Sequence, residues 1–297
     1  MNRNTKIILA NLGMILATVI WGFAFVIVKE SVDAIGPVYL VALRFTLAAL
    51  ALYVIFFKRI KFTDKRMLID GVILGALLFL AYSFQTVGVV YTTGGKNAFL
   101  TAVYVLIVPF FSWFLDHKNR PDIYAVVSAV LGIIGVGIIS LGGESSSINI
   151  GDVLTLVCAI FYAVHMVFVE KFNKERDAIT MTFLQLAVVA VLAWLFAPIY
   201  DGKLDFSTLL TFDAIKAVLY LGLLSTMLAY ILQNASQKVV SASNAALVLS
   251  LESVFGAVFS AMFLPNENFN LKMIFGAVIL MFSIVMAQTK FDFLKKK

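Results

Sequence analysis

The sequence predicts an all-α integral membrane protein whose ten transmembrane helices form two inverted five-helix repeats. Three observations support this fold class: an extreme apolar composition, ten separate apolar stretches, and a pair of motifs that occurs once in each half. Of the 297 residues, 62% are hydrophobic and only 13% are charged, whereas a soluble domain carries about 25% charged residues. One soluble core could not bury so much apolar surface, so lipid has to be the solvent for much of the chain.

Ten stretches are long enough to cross a membrane, since a helix needs roughly 20 apolar residues to span the hydrocarbon core. The connections between them are short and leave no place for a soluble domain. The first stretch begins with Arg3 and Lys6 like a signal peptide, but it stays apolar to Val28 without a convincing cleavage site, so we interpret it as retained. The predicted spans, numbered first to tenth, are 7–28, 38–57, 68–89, 98–115, 122–141, 153–169, 179–200, 214–235, 242–264 and 271–289.

The basic residues predict the orientation, because cytoplasmic loops of membrane proteins are enriched in lysine and arginine. With the amino terminus inside, the cytoplasmic segments contain 17 of the 23 lysines and arginines. Both termini are then cytoplasmic, and the protein is predicted to lie in the cell (inner) membrane. This topology explains the net charge of +6, so no nucleic-acid partner is predicted. The 17 residues are Arg3, Lys6, Lys58, Arg59, Lys61, Lys65, Arg66, Lys118, Arg120, Lys171, Lys174, Arg176, Lys238, Lys290, Lys295, Lys296 and Lys297.

The two halves share a pair of motifs at similar spacing. Residues 81–85 read AYSFQ and recur as AYILQ at 229–233, and NAFL at 97–100 recurs as NAAL at 244–247. Two motifs in the same order at matching distances indicate an internal repeat. Each half contains five spans, an odd number, so the second copy has to enter the membrane from the opposite side. Inverted repeats of this kind are typical of alternating-access transporters.

The repeat also predicts how the chain is divided. Residues 1–142 would form the first five-helix repeat, 143–150 an extracytoplasmic linker, and 151–297 the second repeat. The junction from Gly142 to Ser147 is rich in glycine and serine, which favours a flexible turn. Because inverted-repeat proteins place their site near the membrane midplane between the halves, we expect a wet pocket there.

A set of short motifs is distributed over almost the whole chain: Trp21, Gly22, Phe25 and Lys29; Arg44; Gly95, Asn97, Ala98, Phe99 and Leu100; and Leu251 with Glu252. In these residues the chain resembles the EamA-type exporters of the drug/metabolite transporter superfamily, which have ten spans as two EamA domains. The resemblance implies export of metabolites, amino acids or drugs and names no substrate. The family often has proline after this glutamate, whereas here Ser253 follows Glu252, which argues against a helix break beside it.

Three acidic or basic side chains, Glu252, His165 and Arg44, lie away from the ends of the predicted spans, where a charge costs at least a few kcal/mol and needs a partner or a water-filled cavity. Glu252 is predicted either to couple transport to protons or bind a cation, or only to tie helices together. His165 could exchange protons or hydrogen-bond to a neighbouring helix. Arg44 could attract an anionic group, or extend outward to Glu30 or Asp33.

Polar and aromatic side chains at helical spacing mark a candidate cavity. The eighth span carries a polar stripe from Thr226 to Gln237, and the fourth span carries a shorter one. Such stripes line an aqueous path or form interhelical hydrogen bonds, and their presence on repeat-related helices favours a cavity. Aromatic residues would provide its walls. The candidate substrate-binding residues are Trp21, Tyr82, Gln85, Asn97, Thr101, Tyr104, Tyr162, Tyr230, Gln233 and Asn244.

The favoured hypothesis is a secondary transporter that moves a small organic metabolite (an amino acid, nucleoside, organic cation or drug) by alternating access, as an exporter with proton exchange. The alternatives are an intramembrane enzyme acting on a lipid or amphiphile, and a passive channel. The chain has no Gly-x-x-x-x-Gly-Lys-Ser/Thr motif for nucleotides, and no motif joins its embedded acid and histidine into a catalytic set. No cofactor and no metal are predicted. The expected partners are a small-molecule substrate, membrane lipid and protons, with the protein a monomer or homodimer.

Overall fold

The structure, a computed structural model, describes residues 3–117, 120–141, 148–174, 176–265 and 270–289. Among these residues, all regular structure is helical, and nine helices have the length and apolar composition to cross a membrane. A shorter apolar stretch, Leu271–Ala287, lies in a tenth helix. The predicted fold class is therefore confirmed. The first to tenth spans are Arg3–Ile35, Pro37–Phe56, Lys65–Val90, Gly94–Asp116, Ile123–Leu141, Ile150–Asn173, Ala178–Tyr200, Phe212–Ser236, Ala242–Phe263 and Leu271–Thr289.

Part of the predicted linker, the segment from Gly142 to Ser147, lies outside the described residues. The same holds for some of the lysines used to predict the orientation: Lys118, Lys290, Lys295, Lys296 and Lys297.

The helix pairings repeat between the two halves. The third span packs against the sixth and seventh, and correspondingly the eighth span packs against the first and second. The fourth span packs against the sixth just as the ninth packs against the first. The second–seventh, fourth–ninth and fifth–tenth pairs each join equivalent spans. A pseudo-two-fold axis between inverted halves produces this exchange of partners.

The fourth and ninth spans are interrupted at equivalent places in the repeat. The fourth consists of Gly94–Thr101 and Tyr104–Asp116, and the ninth consists of Ala242–Leu249 and Leu251–Phe263. Interrupted helices at matching positions of two inverted halves are a recurrent feature of transporter sites.

Serines interrupt the ninth span where the family often has a proline. The Ser253 N–H donates to the Ser250 carbonyl oxygen (3.1 Å), and the Ser253 hydroxyl donates to the same oxygen (2.8 Å). Serine hydroxyls that bond to nearby carbonyls compete with the regular helix ladder. The expectation that no break lies beside Glu252 was therefore wrong.

The eighth span contains a π-helical segment, Tyr220–Leu228, which the sequence did not predict. The Ser225 carbonyl accepts a hydrogen bond from Trp21 Nε1 (2.7 Å), and the Tyr220 hydroxyl donates to the Ile20 carbonyl (2.8 Å). Both bonds attach the π-helix to the first span. Because π-helical turns are rare and frequently occur at functional sites, this segment points to the region around Ser225.

Asp201 caps the second span from the end of the seventh. Its Oδ2 accepts hydrogen bonds from the backbone N–H groups of Val38 (2.8 Å) and Tyr39 (2.7 Å). We expect Asp201→Ala to lower the free energy of unfolding by about 0.5–2 kcal/mol, the range for helix caps. Thermal unfolding in detergent measures the change. Asp213→Ala, at a carboxylate whose side chain is 90% exposed, is the matched control and should change little; equal losses would contradict the capping role.

Candidate functional site

A cavity between the two halves is enclosed by side chains from seven of the ten spans. Its volume is about 50 Å³, which is room for a few water molecules and well below a ligand pocket of roughly 300–1,000 Å³. A solute of metabolite size therefore requires the surrounding groups to move apart. Ten of the thirteen predicted site residues line this cavity: Trp21, Arg44, Tyr82, Gln85, Asn97, Tyr104, Tyr162, Tyr230, Gln233 and Glu252.

Five aromatic side chains form a continuous wall of the cavity. The Tyr82 ring centroid lies 5.7 Å from that of Tyr162 and 6.1 Å from that of Tyr230. Trp21 lies 5.4 Å from Tyr230, and Tyr104 lies 6.3 Å from Tyr162. These tilted and edge-to-face contacts are the preferred geometries of aromatic pairs. The wall joins both halves and offers ring faces to an apolar or cationic group.

Arg44 brings a positive charge to the cavity. The residue is 3% exposed. Its Nε donates to Thr226 Oγ1 (2.9 Å), its Nη2 donates to Ser225 Oγ (2.8 Å), and its guanidinium carbon lies 4.8 Å from the Tyr82 ring centroid. No carboxylate of the described residues lies within 4.0 Å of it. Neutral hydroxyls hold this cation and leave its charge uncompensated.

Glu252 brings a carboxyl group to the same cavity, two residues after the interruption of the ninth span. The residue is 7% exposed, and the Tyr104 hydroxyl is a polar neighbour of its carboxyl. Within the described part of the chain, no lysine, arginine or histidine forms an ion pair with it. A charged carboxylate at this depth is costly, so a proton or a cationic ligand would stabilise it.

Two glutamines related by the repeat occupy the cavity from opposite halves. Gln85 Nε2 donates to Thr101 Oγ1 (3.1 Å), and its Oε1 accepts from the Tyr162 hydroxyl (3.1 Å). Gln233 Nε2 donates to Gln237 Oε1 (3.1 Å). Among the described atoms, Gln233 Oε1 has no hydrogen-bond partner. An unpaired buried acceptor is unusual and suits a donor group on a solute.

Three predicted residues lie away from the cavity lining. Thr101 lies behind Gln85 and also contacts Cys158 Sγ at 3.8 Å. His165 Nε2 lies 2.7 Å from Gln185 Oε1 on the seventh span, and its ring reaches Tyr230 at 6.3 Å. Asn244 is exposed in the first turn of the ninth span and lines a separate opening described below. The prediction that Asn244 lines the central cavity was therefore wrong. Asn244 lies three residues after the helix N-cap Ser241, whereas Asn97 lies four residues after its N-cap Thr93, so the two side chains leave their helices on different sides.

One of the two arrangements predicted for Arg44, in which its side chain extends outward, is wrong. Its guanidinium bonds to the eighth span and does not extend outward to Glu30 or Asp33, both of which are exposed. Among the described residues, no group of three histidine, cysteine, aspartate or glutamate side chains is arranged to hold a metal ion.

One end of the bundle, which we call the ion-pair end, is joined by Lys96 and Asp152. Lys96 Nζ lies 2.8 Å from Asp152 Oδ2, with the two side chains 5% and 0% exposed. Lys96 Nζ also donates to the Ser140 carbonyl (3.1 Å), and the Thr92 hydroxyl donates to Asp152 Oδ1 (3.2 Å). Sequence reasoning missed this pair, because Lys96 was assigned to a loop outside the membrane.

Close backbone contact accompanies this ion pair. A Cβ atom on Gly151 would meet the Gly88 carbonyl oxygen at 2.5 Å, and one on Gly88 would meet Thr155 Oγ1 at 2.8 Å. Only glycine permits the third and sixth spans to cross so closely. The Asn97 Nδ2 group donates to Thr155 Oγ1 (2.8 Å) just beside this crossing. The cavity is thus closed toward the ion-pair end.

The opposite end opens into a polar vestibule of about 640 Å³. Along the ninth span, Asn244 lines the vestibule and Leu249 lines the cavity, with buried Ala245 and Ala246 between them. This apolar layer separates the two spaces. The vestibule residues with polar side chains include Ser112, Asp116, Arg120, Asp122, Glu170, Lys171, Lys174, Ser241, Ser243 and Asn244.

A helical membrane protein with inverted halves and a polar cavity at their interface has the architecture of a membrane transporter. The sequence profile of the EamA-like transporter family matches residues 8–141 and again residues 149–289. The chain belongs to this family.

Relatives with known names are also described as transporters. An uncharacterized transporter of Archaeoglobus fulgidus is 31% identical over 290 residues, covering 97% of this chain and 88% of that protein. The uncharacterized transporter YoaV of Bacillus subtilis is 28% identical, and the match covers 96% of this chain and 98% of that protein. A probable amino-acid metabolite efflux pump of Salmonella typhimurium is 27% identical, and the match covers 73% of this chain and 74% of that protein.

A solved crystal structure shares the fold. It superimposes with a TM-score of 0.70 at 17% sequence identity, and the match covers 95% of this chain and 98% of the other. The likeness shows that the arrangement of helices is one that a natural protein adopts.

Proposed function

We propose that this membrane transporter exports a small organic metabolite by alternating access, with the central cavity as its binding site and protons as the exchanged ion. One observation carries the proposal. Residues from both halves meet in a cavity that holds an uncompensated arginine, an unpaired glutamate and an aromatic wall. Groups placed at the interface of inverted halves are exposed alternately when one half rocks against the other.

The closed and open ends support this cycle. The ion pair and the glycine crossing close one end, while the vestibule leads toward the cavity from the other. Solute would enter from the vestibule once the apolar layer parts, and would leave after the ion pair separates. The moving units would be the two repeats, residues 1–142 and 151–297, joined by a linker at 143–150.

The basic residues favour a cytoplasmic vestibule. The loops at this end carry Arg59 and Arg176, which pair with Asp177 and Asp64, and the vestibule itself includes Lys171. Cytoplasmic loops are the segments in which such residues concentrate. Both termini would then be cytoplasmic in the cell membrane, and a solute taken up from the vestibule would be exported.

Glu252 is the group proposed to exchange protons for solute. The Tyr104 hydroxyl is a polar neighbour of its carboxyl, which has no cationic partner among the described residues, so a proton and a cationic solute group would compete to neutralise it. Competition at one carboxyl couples outward movement of solute to inward movement of a proton. The names of relatives described as amino-acid metabolite efflux pumps support an amino-acid-like solute.

Transport by purified protein in proteoliposomes tests the proposal. With an imposed pH gradient, we expect solute flux that saturates with concentration and reverses when the gradient is reversed. Flux that rises linearly without saturation would indicate a channel, and chemical conversion of the solute would indicate an enzyme. Either result would contradict the proposal. Size-exclusion chromatography of the same sample decides between the two predicted states, a monomer and a homodimer.

A further inference from the structure

Arg44 and Lys96 are both buried cations, but of these two only Lys96 has an anionic partner among the described residues. Lys96 is neutralised by Asp152 at 2.8 Å. Among the described residues, Arg44, at similar burial, contacts the hydroxyls of Ser225 and Thr226 and the rings of Tyr82 and Phe45, and it has no anionic partner. Removing a cation from water costs several kcal/mol unless an anion compensates it. The missing compensation at Arg44 is therefore a specific property of the cavity.

The guanidinium is held in a fixed position with one edge unused. Its Nε and Nη2 atoms bond to the two hydroxyls, while no described residue accepts a hydrogen bond from Nη1. Nη1 and the second N–H of Nη2 form the fork that binds a carboxylate through two parallel hydrogen bonds. Because Arg44 lines the cavity, that edge is the one available to a ligand.

The π-helix positions the two hydroxyls that bond to the Arg44 guanidinium. Ser225 and Thr226 both lie in the π-helical segment Tyr220–Leu228. The segment is attached to the first span by the Trp21 Nε1 bond to the Ser225 carbonyl. A Cβ atom on Gly222 would meet Leu47 Cδ2 at 2.8 Å, so this glycine brings the eighth span close to the second. The hydroxyls are thereby fixed beside Arg44 before any ligand arrives.

We propose that Arg44 binds a carboxylate of the transported solute while Glu252 and the aromatic wall receive its ammonium group, so that the substrate class is a small zwitterion. This inference rests on the proposed function, since it assigns the two ends of a solute in the same cavity. Arg44 and Glu252 line one cavity but form no ion pair with each other. A zwitterion compensates both charges at once, whereas a simple organic cation leaves Arg44 unmatched.

Binding of a matched set of compounds to the purified full-length protein tests this assignment. The set is L-leucine, L-leucinamide, 3-methylbutylamine and 4-methylpentanoate, together with the carboxylate and amide forms of alanine, serine and phenylalanine. Ligand-induced thermal stabilisation and calorimetry give Kd for the wild type, Arg44→Gln, Arg44→Lys and the control Arg59→Gln. Arg59 is 58% exposed in its pair with Asp177 and distant from the cavity lining.

The expected result has three parts. The wild type binds at least one carboxylate form about tenfold or more tighter than its amide. Arg44→Gln raises the Kd of that compound by a similar factor and removes the preference over the amide. Arg44→Lys keeps the charge but loses the fork, so its Kd lies between the two, and Arg59→Gln binds like the wild type.

Several results would overturn the assignment. These are equal binding of carboxylate and amide by the wild type, an unchanged Kd in Arg44→Gln with folded protein, or no binding by any carboxylate-bearing compound. If Arg44→Gln does not fold, the wild-type and Arg44→Lys preferences still decide. Saturable, pH-driven transport of a solute without a carboxylate would refute the zwitterion and leave the proposed transport function intact.

Discussion

Glu252→Gln is expected to abolish transport driven by a pH gradient while the protein remains folded in the membrane. Glutamine has nearly the same shape and keeps a polar group beside the Tyr104 hydroxyl, but it cannot take up or release a proton. If the carboxyl is the exchange site, pH-driven flux in proteoliposomes should fall to less than about a tenth of the wild-type rate, because the proposed proton carrier is lost.

The exposed Glu30→Gln is the matched control for this variant, since it makes the same chemical change away from the cavity. It should transport like the wild type. Size-exclusion profiles and thermal unfolding confirm that both variants are folded. Unchanged coupling of flux to the pH gradient in Glu252→Gln would remove this residue from the mechanism.

Asp152→Ala is expected to cause the largest loss of stability among single substitutions of the buried charged groups. It leaves the Lys96 ammonium group buried without an anion, with only the Ser140 carbonyl as acceptor. Breaking a buried ion pair by removing one partner costs about 3–5 kcal/mol. Thermal and chemical unfolding in detergent should show a loss in this range.

A double substitution separates the charge effect from packing. Lys96→Met combined with Asp152→Leu removes both charges and keeps an apolar contact, so it should recover most of the stability lost in Asp152→Ala. The recovered variant should nevertheless show altered opening of the ion-pair end, measured as labelling of a cysteine at Val89, which lines the cavity. A negligible loss in Asp152→Ala would contradict the role of the pair in closing this end.

Most of the fold could be predicted because the bilayer imposes it. The apolar core of a membrane sets the length of each span, and the stretches chosen on that basis coincide with the helices observed. The ends were less accurate. The first span was expected to end at Val28 but continues to Ile35, because a helix continues beyond the hydrocarbon core wherever no residue stops it.

The interruptions of the fourth and ninth spans and the π-helix could not be predicted. They depend on individual hydrogen bonds, such as the two that Ser253 makes to Ser250, and not on hydropathy. A sequence rule based on proline gave the wrong answer at this position. Hydropathy periodicity cannot distinguish an α-helix from a helix with one altered turn.

The repeat made part of the candidate site predictable. Tyr82 with Tyr230, and Gln85 with Gln233, were selected as motif partners, and all four line the cavity. Their roles in binding stay predictions. Selection by the repeat gave a wrong prediction for Asn244. Its repeat partner Asn97 is buried in the fourth span, whereas Asn244 is exposed at the start of the ninth span.

The ion pair at the closed end gave no signal in the sequence. Lys96 and Asp152 are distant along the chain, and neither belongs to a recognisable motif. Each was assigned to the edge of the membrane, where a charge requires no partner. Only the close crossing of the third and sixth spans at Gly88 and Gly151 brings the two residues into a buried environment.

In the proposed cycle, the cavity opens alternately to the two faces of the membrane. Labelling of Ala24→Cys with a membrane-impermeant maleimide, in a Cys158→Ala background and in vesicles of defined sidedness, tests it directly, because Ala24 lines the cavity and is 6% exposed. Alternating access predicts labelling from both faces, slowed from each by transported solute. Labelling from one face only, in protein that still transports, would contradict it.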